Sequence, residues 1–165
     1  MRVLAIIDVQ IGFVNEATRH IPDIVQSLQN PFDLVVATRF ENIPGSPFRD
    51  FLGLERFAPG MPETALAFTP REDARIAVKH AYSAASEDLK RAGKEAGGTV
   101  YLCGIASDNC VLATAVDLFD SGLRPVVIAD ACASHAGPRY HEAALMILKR
   151  MIGEEQVASR AKLGL

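Results

Sequence analysis

The run Val3-Leu4-Ala5-Ile6-Ile7 constrains the chain more than any other feature: five apolar residues without polar alternation, closed by Asp8. A strand with one face in water alternates apolar and polar side chains, so an unbroken run belongs to a strand covered on both faces. Residues 34–37, 100–103 and 126–129 repeat this character, 76–78 form a shorter run, and 156–158 a weaker one. Helical spacing fills the gaps between them, and that alternation predicts an α/β fold with a parallel sheet.

The helices have readable ends. Pro22 suits a first turn, Ile24, Val25 and Leu28 follow at helical spacing, and Pro31 stops the segment. Ser86, Glu87 and Asp88 open a second helix with acids at its positive end, and Gly97-Gly98 closes it. A third follows Asp108, with Val111, Leu112, Ala115, Val116 and Phe119 expected on one face and Gly122 and Pro125 as its stop. The last spans about residues 141–152, with Ala144, Leu145, Leu148, Met151 and Ile152 expected inward. Residues 40–75 differ: they hold five of the nine prolines and no clear period. Such a long segment in one domain reads as a cover or binding loop.

Composition narrows the classes of function. At 165 residues the chain reads as a single domain, 1–165, and 49% hydrophobic residues suffice for a packed core. A net charge of −3 without basic clusters argues against a nucleic-acid partner. No apolar stretch approaches the ~20 residues of a membrane helix, so no membrane partner is expected. Three cysteines cannot build a disulfide scaffold, which points to a reducing, cytoplasmic setting.

In an open parallel sheet, ligands bind beyond the carboxyl ends of the strands. The residues there are Asp8 and Gln10, residues 38–42, Lys79, residues 104–110 and residues 130–134. Cys110 falls in a strand-to-helix turn, where free amides and the helix dipole favour a thiolate and an oxyanion. Its alternative is a buried, inert cysteine. Asp8 ends an apolar strand and needs a hydrogen-bonding or cationic partner; its alternative is a loop anchor. Lys79 follows residues 76–78 and reads either as a solvated lysine or as a head group reaching the same crevice. Together, carboxylate, lysine and thiol make a workable acyl-transfer site. Cys103 reads as core, Cys132 as the rival nucleophile and Asp130 as an acceptor for loop amides. His141 is assigned no role, and Arg39 and Arg49 stay outside the site.

These segments carry a family resemblance. Ala5-Ile6-Ile7-Asp8-Val9-Gln10 with Phe13, Val78-Lys79-His80-Ala81-Tyr82-Ser83-Ala84, Cys103-Gly104-Ile105-Ala106-Ser107-Asp108-Asn109-Cys110-Val111 and Asp130-Ala131-Cys132-Ala133-Ser134 occur in one order. They resemble the motifs of the isochorismatase-like cysteine hydrolases, over residues 2 to about 157. The resemblance implies a Rossmann-like three-layer α/β/α fold with a six-stranded, mostly parallel sheet. It implies an Asp8, Lys79, Cys110 triad, a thioester intermediate and hydrolysis of an amide C–N bond in a small molecule. It also implies a cis Ile105–Ala106 peptide, an oxyanion hole of the Ala106 and Cys110 amides, and a homo-oligomer. Metal-dependent nicotinamidases of the family carry an aspartate and a histidine where Phe40 and Asn42 stand here, and neither replacement suits a metal. His20, His80, His135 and His141 show no ligand spacing, so no metal and no cofactor is expected. Gln10, Phe13, Phe40, Asn42 and Tyr82 are expected to shape a pocket for a small amide or ester. The rivals are a relative that only binds a ligand and a thiol-redox protein, the latter disfavoured by the lack of Cys-x-x-Cys.

Overall fold

The computed structural model describes residues 1–165. Six strands form one parallel sheet: β1 (Val3–Ile7), β2 (Leu34–Phe40), β3 (Arg75–Lys79), β4 (Thr99–Ile105), β5 (Arg124–Ala133) and β6 (Val157–Ala158). Their order is β3-β2-β1-β4-β5-β6, and every pairing is parallel. The main helices are α1 (Ile21–Leu28), α2 (Pro47–Asp50), α3 (Glu87–Glu95), α4 (Leu112–Asp120), α5 (Pro138–Ile152) and α6 (Arg160–Leu163). No helix is long and apolar enough to cross a membrane.

All five residues of β1 are fully buried, because β1 lies centrally with neighbours on both edges and helices over both faces. The steps β1 to β2 and β4 to β5 run in opposite directions across the sheet, so right-handed crossovers place α1 on one face and α4 on the other. The order therefore reverses between β1 and β4, and a crevice opens at their carboxyl ends. Gly104 keeps those two strands in contact there. A Cβ on it would sit 2.1 Å from the Ile7 carbonyl oxygen, and its φ of +122° is one that L side chains rarely adopt.

Several boundaries differ from those the sequence suggests. β2 continues through Arg39 and Phe40, and Lys79 is the last residue of β3 rather than the residue after it. β5 runs on to Ala133 across a register shift against β4, so Asp130 and Cys132 lie inside a strand, not beyond one. Asp130 accepts from the Arg160 amide and guanidinium, which anchors α6. A π-helical turn, Ser107–Val111, precedes α4. The inward stripe is then Val111, Ala115 and Leu118, and Phe119 faces outward. α5 starts at Pro138 and buries Ala144, Leu148 and Ile152, leaving Met151 exposed. Within residues 40–75, α2 is capped by the Ser46 hydroxyl, which accepts from the Arg49 amide.

Candidate active site

Strand ends bring the three reactive side chains together. Asp8 leaves β1 at φ +46°, a left-handed conformation that aspartate tolerates better than most residues. Its carboxylate is fully buried, and Oδ1 accepts a hydrogen bond from Thr38 Oγ1 at 2.7 Å. The same hydroxyl oxygen accepts from the Asp8 amide at 3.1 Å, so β2 fixes the carboxylate from two directions. Oδ2 faces Lys79 Nζ at 2.7 Å and receives no directed hydrogen bond from any other side chain.

Lys79 is held as firmly. Its ammonium donates to the Ala81 and Tyr82 carbonyls, at 2.7 and 3.0 Å, and lies 3.5 Å from Cys110 Sγ. Those partners satisfy a buried cation that would otherwise cost several kcal/mol. Cys110 sits in the π-helical turn, where its carbonyl accepts from Thr114 Oγ1 at 2.6 Å. Thr114 in turn accepts from the Ala84 amide, tying the segment after Lys79 to the turn that carries Cys110.

The electrostatics of Cys110 differ from the helix-start expectation of a resting thiolate. Burial, followed by the Asp8 charge, pushes the thiol far above its ordinary value, with Lys79 acting in the opposite direction. The helix dipole is worth at most ~2 kcal/mol and does not outweigh burial beside a carboxylate. Cys103 is raised by burial, and Cys132 is pushed up to about 12 by burial. Only Cys110 has a carboxylate and an ammonium directly at its sulfur.

A cavity of about 180 Å³ opens over Cys110. Ala106 and Cys110 line it, with Phe13, Phe40, Phe48, Phe57 and Tyr82 as aromatic walls. Phe13 stacks on Phe57 at 4.2 Å, while Phe48 meets Phe40 and Tyr82 edge-on, each at 4.8 Å. Gly12 makes the stack feasible, since a Cβ there would come within 2.6 Å of the Phe57 ring. The Ile105–Ala106 peptide is cis, and the Ala106 amide donates to no backbone acceptor.

Two residues expected in the pocket do not line it. Gln10 is fully buried and bridges loops, donating to the Phe40 and Thr64 carbonyls and accepting from the Phe40 amide. Asn42 donates to the Leu54 and Arg56 carbonyls and accepts from Ser46, so its amide closes the proline-rich loop. Conversely, Phe48, Arg56, Phe57, Asn109 and His135 line the cavity without having been singled out for it. Asn109 adjoins Cys110 and is the one of these that its position could have flagged. His141, to which the sequence assigns no role, places Nδ1 3.0 Å from Ser107 Oγ and braces the π turn. Burial holds both His135 and His141 below the usual histidine range.

An all-parallel sheet with such a cluster and cavity at its switch point is the architecture of an α/β enzyme acting on small molecules. The family model described as the isochorismatase domain matches residues 2–158, and the chain belongs to that family of hydrolases. Among solved structures, an isochorismatase-like hydrolase from Alkaliphilus metalliredigens superposes with a TM-score of 0.83 at 22% identity, over 98% of this chain and 96% of that one. The nicotinamidase/pyrazinamidase of Bacillus subtilis gives 0.77 at 29% identity, over 96% and 100%. The pyrazinamidase of Pyrococcus horikoshii, solved in complex with zinc, gives 0.75 at 26%, over 96% and 97%. No curated protein matches the chain.

A metal such as that zinc does not fit the residues present here. Phe40 offers no donor atom and packs between the Phe48 and Phe57 rings. The Asn42 amide is consumed by the loop, and His80 turns Nδ1 to the Glu41 carbonyl at 2.8 Å. No three histidine, cysteine, aspartate or glutamate side chains cluster at ligand spacing.

Proposed function

We propose that this protein is a metal-independent cysteine amidase that cleaves the C–N bond of a small carboxamide through a thioester at Cys110. The observation that carries the reading is the placement of one lysine head group 2.7 Å from Asp8 Oδ2 and 3.5 Å from Sγ of Cys110, which itself lines an aromatic cavity.

The carbonyl carbon of the amide sits over Sγ. Asp8 takes the thiol proton as sulfur attacks, forming the C–S bond and placing negative charge on the carbonyl oxygen. The Ala106 and Cys110 amides receive that oxyanion, and the uncommitted Ala106 N–H supports the assignment. The protonated Asp8 then passes its proton to the leaving nitrogen, the C–N bond breaks, and ammonia or an amine departs. Water, deprotonated by Asp8, attacks the thioester and releases the carboxylic acid, and the thiol is restored. Lys79 balances the charge of the buried carboxylate through their 2.7 Å ion pair and steadies the thiolate as it forms. With the thiol held protonated at rest, the proton transfer is tied to the attack instead of preceding it.

The three free cysteines suit a reducing cytoplasm, and a homo-oligomer is expected, which sedimentation would read directly. The decisive experiment is a hydrolysis screen over small carboxamides and esters. The expected result is acid release with a transient acyl mass on Cys110, loss of both in Cys110→Ala, and unchanged turnover in EDTA. Tight binding without an acyl adduct would establish a ligand-binding relative instead. Turnover abolished by EDTA and restored by zinc would refute metal independence.

A further inference from the structure

Building on the amidase reading, we propose that the substrate is a monoamide of a small dicarboxylic acid, its free carboxylate received by Arg56 with Asn109 and His135 beside it. Apart from the aromatic walls and the nucleophile, the polar residues that line the cavity are these three. All three offer N–H donors, and none of them is a carboxylate.

Arg56 is the unusual member. Its guanidinium lies 5.1 Å over the Phe57 ring and donates through Nη2 to the Gly12 carbonyl at 3.2 Å. Two other arginines of the neighbouring segments, Arg39 and Arg49, are ion-paired with Glu41 and Glu55. Arg56 has no carboxylate within salt-bridge distance. Glu63 acts on it only from farther away, and Glu63 Oε1 is already taken by the Phe57 amide at 3.1 Å. The guanidinium is thus positioned by a ring and a carbonyl while its charge stays unpaired, as a bidentate anion site requires.

Its neighbours have the same character. The Asn109 side chain makes no hydrogen bond within the chain. His135 packs against Phe13 at 5.3 Å, and its Nδ1 is buried without a partner. Asp108 is the one acid whose charge reaches His135, Arg56 acts in the other direction, and burial disfavours protonation of the imidazole. Asp8, the other nearby acid, is neutralised by Lys79.

The spacer between amide and carboxylate follows from the middle of the cavity. About 180 Å³ walled by five aromatic rings is close to the size of an engineered ~150 Å³ cavity that binds benzene. One ring or a short carbon chain fits between Cys110 and Arg56, and a long one does not.

The test compares matched amides, succinamate against butanamide and 4-carbamoylbenzoate against benzamide. Carboxylated members should show at least tenfold higher kcat/KM, a preference that weakens in high salt. Arg56→Gln should erase the preference, mainly through KM, and Arg56→Lys should restore part of it. Thermal unfolding of both variants reports folding separately. A second arm titrates the same amides into Cys110→Ala by calorimetry, with and without Arg56→Gln, and reads anion preference without turnover. Equal binding of neutral and anionic amides, no binding of the anionic ones, or a preference that survives Arg56→Gln would overturn the proposal. If no amide acylates Cys110, the amidase reading fails, and the calorimetric arm still decides whether the cavity selects a carboxylate.

Discussion

The two halves of the site are built in opposite ways. The polar half comes from strand ends: Asp8 closes β1, Lys79 closes β3, Thr38 lies in β2, and Cys110 follows β4 by one short turn. Each of these is fixed by backbone groups or by a neighbouring strand. The aromatic half is assembled from several segments: Phe13 follows β1, Phe40 closes β2, Tyr82 follows β3, and Phe48 and Phe57 come from the proline-rich segment between β2 and β3. Its backbone is strained at Phe57, where φ is +68°, a conformation that costs a bulky residue ~1–3 kcal/mol. On the proposed reading, the carboxyl ends of the strands would set the chemistry and the loops that carry the rings would set the substrate.

The largest effect should come from uncoupling the base. Asp8→Asn should lower turnover by ~10²–10⁴-fold, the range of a general base. The same change should speed alkylation of Cys110 by iodoacetamide near pH 8, since the Asp8 charge is one cause of the raised thiol and its loss leaves more thiolate. Opposite signs in the two assays are the outcome that matters. A parallel fall in both would mean that Asp8 merely supports the fold.

Lys79→Met should be the next most disruptive, and it reads on stability. It leaves a fully buried carboxylate without its cation, which typically costs ~3–5 kcal/mol in urea unfolding at pH 7. Unaltered stability would mean that water replaces the lysine and that the polar half is less closed than its burial suggests.

The smallest effect belongs to the loop. Gly12→Ala places a Cβ against the Phe57 ring and should displace the Phe13–Phe57 stack. About a tenfold loss of kcat/KM, with Cys110 alkylation unchanged, is expected from ~1–3 kcal/mol of altered pocket contacts. Loss of alkylation as well would show that the two halves are not independent.

The same division governs how much could be read from the sequence. Asp8, Lys79 and Cys110 were legible because unbroken apolar runs locate strand ends, and a parallel sheet puts those ends on one edge. Gln10 and Asn42 were assigned to the cavity from position alone, whereas turns after β1 and β2 aim their amides at loop carbonyls. Arg56, Phe57 and His135 reach the cavity through tertiary packing of segments with no period, so no spacing announced them. The boundary of β5 was missed because a register shift carries the strand past Asp130, a residue that seldom signals a strand. The thiol's protonation state was also out of reach, since it depends on burial and on a carboxylate distant in sequence.

That protonation state has a consequence beyond turnover. Peroxide attacks thiolates, and the first product, a sulfenic acid, would disable the nucleophile. By keeping Cys110 as a thiol until an acyl group is in place, burial and the Asp8 charge also shield it during idle time. A thiol that stays protonated offers peroxide less of the reactive thiolate than one resting ionised, so peroxide inactivation of the idle protein is expected to be slow.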